Sequence, residues 1–521
     1  MKRLFCIALL ISLTLSITGC GIGGDLDIDI DFNISDKTLK YTLFANDLGA
    51  YSTDNRVVKK WEEQFNIELD FQGTGADWME TLCLRINADD MPELFFFVPN
   101  APNYMTAYTN FVKNKLIIPI SDLVTPEETP NLYALLNADD FSGLKIDDKM
   151  YFVPTTASDF NTAIYVRRDW MDRLGIKDPE TIEDFTEMLR AFTKDDPDGN
   201  GKNDTYGMAA SKVFEWMEYF KIAFGATPGW SRDVEGEWQF DAFTPGYKDF
   251  LGWMNGLYSN GYLKNEFYLY DDSEALNDFY NGKCGVVMYN GGRATGGVTY
   301  KMRKLDKNAV VDILPMPREK AEGGYTTSGI WWGGWSIAYN AKEPMRIVKM
   351  LDYFFSAEGA EERLYGLEGV HYNKDNSGEI ILNFEERLKE KMFGATDDNQ
   401  PRDYFAIGAY FGDPVSIENN RIKANLSDCI YSEPELAKRS SEYANRNLIR
   451  TPDTLKLGEE YAKTYATVSD RIYTYSVRIV AGSIGLNEGM ETMKVLSIED
   501  GYSKLQQIIK DHYGDRKDWL Q

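Results

Sequence analysis

The chain has 521 residues, a formal net charge of −26 and 14% aromatic residues. That length points to two or more domains rather than one core. The acidic balance excludes a general nucleic-acid binder, which needs Lys and Arg to displace counterions from phosphate. Lys2 and Arg3 follow Met1, and an apolar stretch from Leu4 to Ile17 comes next. This is the layout of a signal peptide, too short for a membrane span of about 20 residues. Gly21, Gly23 and Gly24 then lead into an Asp/Ile alternation, read as a flexible acidic tether. Strand character at Lys40–Phe44, a helical stripe at Val57, Trp61 and Phe65, and alternation at Ile67, Leu69 and Phe71 come next. Trp78, Leu82 and Ile86 make a second stripe, and Leu94–Val98 reads as a buried strand. The β-α-β-α-β order predicts an α/β domain with a mostly parallel sheet and a ligand site at the carboxyl ends of its strands.

A second unit begins near Thr155, with a strand over Thr162–Val166 and a short helix ended by Gly175. Thr181 and Asp184 predict a capping box ahead of the stripe Phe185, Leu189 and Phe192. Further helices are expected near Lys212–Phe224, Gly246–Asn260, Pro344–Phe355 and Ile498–His512, and strands over Gly285–Met288 and Ile330–Ala338. Beyond Asn373 the pattern loosens. Cys83, Cys284 and Cys429 are too widely spaced for a disulfide framework or a zinc cluster, and any pairing among them stays open.

Ile17-Thr18-Gly19-Cys20, directly after the apolar stretch, resembles the bacterial lipobox, in which the Cys is lipidated and the preceding peptide removed. Three further segments resemble one family: Ala88-Asp89-Asp90-Met91-Pro92-Glu93-Leu94, Tyr165-Val166-Arg167-Arg168-Asp169-Trp170, and Ser356-Ala357-Glu358-Gly359 with Tyr365-Gly366-Leu367-Glu368-Gly369-Val370-His371-Tyr372. Together they are similar to the extracellular solute-binding proteins of carbohydrate ABC importers, in the lipoprotein branch that includes the alginate-binding proteins. The resemblance covers residues 40–375 well and the remainder loosely. It implies a periplasmic-binding-protein-like fold of two α/β lobes joined by crossing hinge segments. It also implies a ligand between the lobes and delivery to permease subunits by a membrane-anchored monomer. The expected segments are 1–19 (signal peptide), 20–37 (tether), 38–155 (lobe 1), 156–325 (lobe 2), 326–400 (return to lobe 1) and 401–521 (lobe 2 and hinge).

Sugar rings offer apolar faces to aromatic side chains and hydroxyl edges to polar ones. Trp331, Trp332 and Trp335, flanked by Gly333 and Gly334, form the densest aromatic cluster and a candidate platform, the glycines admitting a ligand close to the backbone. Asp77 with Trp78, Asn46, Trp216, Trp230, Asp159 with Asn161, and Tyr289 with Asn290 and Arg293 complete the candidate contacts. His371 and Tyr372 read as structural. The acidic charge favours a neutral oligosaccharide over a uronate polymer. Peptide or other solute binding, for an importer or a sensor, and glycan hydrolysis remain alternatives. Hydrolysis needs a carboxylate pair at a set separation, and no motif marks one.

Residues Asp196 to Asp204 place oxygen-bearing side chains at alternate positions, with glycines between them. Asp196, Asp198, Asn200 and Asp204, with the Lys202 carbonyl, offer the hard oxygen set that Ca2+ prefers. The resembling alginate binders carry calcium at these five positions. Thr205 stands where that family often has an acidic residue, and Gly207 where an EF-hand has its bidentate Glu. The expected role is structural.

Overall fold

A computed structural model describes residues 33–514, apart from 46–47, 51, 74–77, 99–104, 139–143, 157–161, 212–216, 291–297, 328–330, 377, 379, 391–433 and 453. In chain order its strands are β1 Leu39–Phe44, β2 Ile67–Gln72, β3 Leu94–Phe97, β4 Val153–Thr156, β5 Thr162–Arg167, β6 Tyr206–Ala209, β7 Trp230–Arg232, β8 Trp238–Phe240, β9 Cys284–Asn290, β10 Val311–Leu314, β11 Tyr325–Thr327, β12 Trp331–Ile337, β13 Tyr372–Lys374, β14 Ile380–Leu382 and β15 Leu448–Arg450.

Two sheets organise the molecule. The first runs β2-β1-β3-β12-β4 and the second β10-β5-β9-β6. Both are mixed rather than mostly parallel. β1 is parallel to β2 and β3, but β12 is antiparallel to β3 and β4. In the second sheet only the β6–β9 pair is parallel. The reversal follows from the crossings: β12 re-enters the first sheet from the second lobe and runs back past β3. Helices cover both sheets. In β5, Ile164 and Val166 belong to one buried cluster and Ala163 and Tyr165 to the other, so both faces are covered. A strand covered on both sides reads as a continuous apolar run, as this one does.

Local sequence explains most boundaries. Asn55 caps the helix Arg56–Phe65 by accepting from Val58 N at 2.9 Å, and Asn66 closes it in the left-handed region at φ 52°. The capping box forms at Thr181/Asp184, and Gly175 ends Arg168–Leu174 at φ 68°. Pro344–Phe354 buries Ile347, Met350, Leu351 and Phe354 as its spacing predicts. Two helices differ from expectation. Of the segment 212–224, residues 212–216 lie outside the described part, and the rest makes only a short 3-10 turn and the single turn Phe220–Ala223. The expected helix from Ile498 is cut by Gly501 at φ 112°, which separates Leu486–Glu499 from Tyr502–Tyr513.

The first core draws on residues from Tyr41 to Val153 and from Trp335 to Phe355. The second core includes Ile164–Leu314 and also Tyr461, Val468, Ile472, Tyr475 and Ile479 of the 23-residue helix Gly458–Val480. The C-terminal helices therefore complete the second lobe. Cys83 and Cys284 are both free thiols, and Cys429 lies outside the described residues. No helix among the described residues is long and apolar enough to cross a membrane.

Candidate functional site

Strand direction fixes which loops meet. In the first sheet β1, β2 and β3 end on one edge. β12 runs the opposite way, with Gly334 beside Phe97 and Ile337 beside Leu94, so it starts on that same edge. Trp331 pairs with Thr156, which puts the end of β4 there too. In the second sheet Thr162 pairs with Asn290, Ala209 with Val287 and Leu314 with Ile164. The start of β5 and the ends of β6, β9 and β10 therefore share one edge. Residues 157–161 join the two edges directly. Six chain steps from 156 to 162 reach at most about 20 Å, so the edges must lie close across the link. The chain passes between the lobes again from Thr327 to Trp331, and a third time between residues 390 and 434.

Most of the expected ligand residues belong to these edges by chain position. Trp331 and Trp332 open β12, and their side chains lie outside the described part. Trp78 begins the helix Trp78–Asn87 after β2. It is mostly buried at 7% exposure, its ring tilted on Phe96 at 5.9 Å. Tyr289, half-buried, and Asn290 end β9. Asn46, Asp77, Asp159, Asn161, Trp216 and Arg293 lie outside the described residues, Trp216 seven positions after β6 and the others within five of the start or end of a strand on one of the two edges.

Two tryptophans expected at the cleft lie in the cores instead. Trp335 is 1% exposed and meets Phe96 edge-on at 5.5 Å inside the first core. Register decides this: Trp335 pairs with Phe96 on one side and Val153 on the other, in the interior of the sheet. Trp230 is 2% exposed, lies parallel to Tyr502 with 5.8 Å between ring centroids, and donates Nε1–H to Tyr461 Oη at 2.7 Å. Both are core residues of their lobes. The glycines beside Trp335 also serve packing. A Cβ on Gly333 would come within 2.6 Å of Phe96, and one on Gly334 within 2.2 Å of Phe152.

Sequence reasoning missed a depression on the second lobe's edge. It is shallow and open, and is lined by Ser211, Met217, Asp272, Ala275 and Tyr289 with the ends of β6 and β9. Asp272 opens the helix Asp272–Tyr280, which runs back along β9. The Asp271-Asp272-Ser273-Glu274 sequence was a legible capping signal there.

The acidic loop lies between the helix Ile182–Lys194 and β6. It is tightly curled, with Asp196, Gly199 and Gly201 all left-handed at φ 48°, 72° and 76°. Asp196 Oδ1 accepts from Asn200 N at 3.0 Å and its Oδ2 from Gly201 N at 3.0 Å. Asn200 Nδ2 donates to Asp198 Oδ2 at 2.7 Å and to Asp204 Oδ1 at 3.2 Å. The Lys202 amide donates to Asn200 Oδ1 at 2.7 Å. Partial burial, together with the carboxylates of Asp196 and Asp204, raises the Asp198 carboxyl above its ordinary range. Among the described residues no three His, Cys, Asp or Glu side chains converge into a ready metal cluster. The donor chemistry nevertheless fits a hard cation. Asp198 and Asp204 share the Asn200 side-chain amide while Asp196 is held by the backbone N–H groups of Asn200 and Gly201, and a half-turn of the Asn200 amide would put its oxygen between Asp198 and Asp204. Gly207 has a packing reason, since a Cβ there would meet Leu189 Cβ at 2.8 Å. The loop sits at the start of β6, the end away from the ligand edge.

His371 is fully buried near the first lobe. Its Nδ1 accepts from Leu367 N at 2.9 Å and its Nε2 lies 3.1 Å from Glu390 Oε2. Arg56 binds Glu390 and also Glu386. Burial lowers the imidazole's pKa below its ordinary value.

Two α/β lobes, each with its own sheet and core and joined by crossing segments, define a bilobal binding protein. The chain belongs to the bacterial extracellular solute-binding protein family, whose sequence model matches residues 45–361. It is 26% identical over 439 residues to the polygalacturonan/rhamnogalacturonan-binding protein YtcQ of Bacillus subtilis, covering 81% of this chain and 82% of YtcQ. The fold is similar to that of the Streptococcus pneumoniae substrate-binding protein FusA in complex with kestose, with a TM-score of 0.68 and 18% identity over 92% of this chain and 100% of that one. It is also similar to the alginate-binding protein AlgQ2 without calcium ion, with a TM-score of 0.67 and 16% identity over 93% and 99% of the two chains.

Proposed function

We propose that this protein captures a carbohydrate, an oligosaccharide, between its lobes and hands it intact to the transmembrane subunits of an ABC importer. The observation that carries the reading is the convergence of both sheets' ligand edges across residues 157–161 in a chain of the solute-binding family. The names of YtcQ and FusA, which specify glycans or fructooligosaccharides, support the cargo class. Lobe 1 contributes Asn46, Asp77, Trp78, Trp331 and Trp332 to the cleft, the crossing contributes Asp159 and Asn161, and lobe 2 contributes Trp216, Tyr289, Asn290 and Arg293. A ligand that touches both edges favours the closed arrangement by its extra affinity for that state. A permease that prefers the closed shape is then loaded selectively. Cys20 carries the lipid that holds this monomer on the outer face of the membrane. Ca2+, held by Asp196, Asp198, Asn200, Asp204 and the Lys202 carbonyl, fastens the end of the helix Ile182–Lys194 to β6.

The test is a thermal-shift and calorimetric screen of protein starting after Cys20, against neutral oligosaccharides, uronates and peptides. A ligand specific to the native state at about a hundredfold its Kd adds roughly 2.7 kcal/mol. Binding of a glycan that is recovered uncleaved, with compaction in small-angle scattering, is the expected result. Binding of peptides alone, or cleavage of the glycan, refutes the proposal.

A further inference from the structure

We infer that Asn200 is a self-modifying position: its side-chain amide is lost as ammonia through a cyclic imide formed with Gly201, ahead of the chain's other described Asn-Gly steps. Five Asn-Gly pairs occur in the sequence, at Asn200, Asn255, Asn260, Asn281 and Asn290. In such a pair the following amide nitrogen can reach the Asn Cγ, because glycine has no side chain to block the approach and its backbone turns freely. The fold then decides which pair reacts. Asn255 lies inside the helix Pro245–Ser259, and its Nδ2 donates to the carbonyls of Ile479 at 3.1 Å and Val480 at 3.0 Å. Asn260 and Asn281 close helices, and each folds its Nδ2 back onto a helix carbonyl, of Gly256 at 2.8 Å and Asn277 at 2.7 Å. The glycine N–H groups that follow them donate to the carbonyls of Tyr258 and Phe279, each at 3.0 Å. Gly291, after Asn290, lies outside the described residues.

Asn200 is held differently. Both it and Gly201 are exposed, and nothing lies within 4 Å of where a Gly201 Cβ would stand. Its Oδ1 accepts from the Lys202 amide at 2.7 Å, an N–H placed where negative charge gathers when Cγ is attacked. The attacking Gly201 N–H donates to Asp196 Oδ2 at 3.0 Å, a carboxylate instead of a carbonyl, and so a base for its proton. Asn200 Nδ2, the leaving amine, meets the carboxylates of Asp198 and Asp204 at 2.7 and 3.2 Å. Gly201 N bonds to Asn200 Cγ and gives up its proton. The Cγ–Nδ2 bond then breaks, and Nδ2 takes up a proton and departs as ammonia. Water opens the imide at either carbonyl. One opening leaves an aspartate, and the other an isoaspartate whose main chain runs through Cβ and Cγ. The first adds a carboxylate to the oxygen donors of the loop, and the second lengthens the backbone beside the left-handed Gly201.

Peptide mapping by mass spectrometry tests this on the protein starting after Cys20, aged at neutral pH and body temperature with EDTA present, once folded and once in concentrated urea. The change of NH2 to OH is read as a mass gain in the peptide that holds each Asn-Gly step, and isoaspartate by its diagnostic fragments. In the folded protein Asn200 should convert at least roughly tenfold faster than Asn255, Asn260 and Asn281, given its oxyanion donor and its base. In urea the native hydrogen bonds are gone, so those three should accelerate and the four rates should come within about threefold of one another. Asn200 itself should react no faster unfolded than folded. Folded protein in which Asn200 persists, or is overtaken by any of the other three, overturns the inference. So does an Asn200 that converts more than about threefold faster in urea, since the loop would then protect the amide instead of promoting its loss.

Discussion

Replacing Trp230 by Phe separates a core tryptophan from a ligand platform. The indole Nε1–H is bound to Tyr461 Oη at 2.7 Å, and Tyr461 is itself 3% exposed. Phe deletes the donor and leaves a buried hydroxyl without it, a loss of about 1–3 kcal/mol. It also removes part of a ring that meets Phe240 edge-on at 5.4 Å and faces Tyr502, worth a further 1–2 kcal/mol or so as lost burial and residual cavity. The total is about 2–5 kcal/mol. For a lobe of this size that corresponds to a fall of roughly 5–15 °C in its unfolding temperature. Differential scanning calorimetry and urea titration read the change, and ligand affinity measured well below the transition should stay within about threefold. A Tyr461→Phe partner closes a double-mutant cycle, with a coupling of roughly 1 kcal/mol or more. An unchanged transition with a tenfold loss of affinity would refute the placement and return Trp230 to the cleft.

Chelation of divalent ions should lower the unfolding temperature by several degrees. With Ca2+ at about ten times its Kd, binding contributes roughly 1.4 kcal/mol, and Asp204→Ala should abolish the response to added Ca2+. Arg346, 2% exposed, donates to the carbonyls of Ser35 at 2.6 Å, Asn66 at 2.7 Å and Lys37 at 3.0 Å and pairs with Glu343. Arg346→Met should therefore cost about 3 kcal/mol or more and expose the segment before β1 to trypsin, read by limited proteolysis. At His371 the folded pKa is depressed, chiefly by burial, so the unfolded chain binds the extra proton first. Stability is then full above the ordinary histidine range and falls as pH drops through that range towards the lower folded value. Urea titrations across that window should show the slope reduced by about one proton in His371→Gln, and an unchanged slope would contradict it.

The folds of both lobes were legible because their signals are local. Caps at Asn55 and Thr181, the left-handed Gly175, and the stripe through Ile347, Met350, Leu351 and Phe354 each specify an element without reference to the rest. Direction was less legible. A short apolar run looks the same whether its neighbour is parallel or antiparallel, and only the crossing back from the second lobe reverses β12 against β3. The helix Gly458–Val480 went unread although Tyr461, Val468, Ile472, Tyr475 and Ile479 trace one face, because Lys463, Thr464, Tyr465 and Thr467 interrupt the apolar stripe between Tyr461 and Val468.

The site divides along the same line. Positions after β1, β2, β3 and β9 could be chosen from order alone, since those strands end on the ligand edges, whereas β5 and β12 start there. Which side chain turns outward could not. Trp331-Trp332-Gly333-Gly334-Trp335 looks uniformly ligand-like as composition, yet Trp335 is set between Phe96 and Val153 by pairing that extends from residue 94 to residue 337. The two glycines answer to Phe96 and Phe152, whose positions are likewise long-range. Aromatic density was therefore the weaker guide to the cleft, and strand direction the stronger.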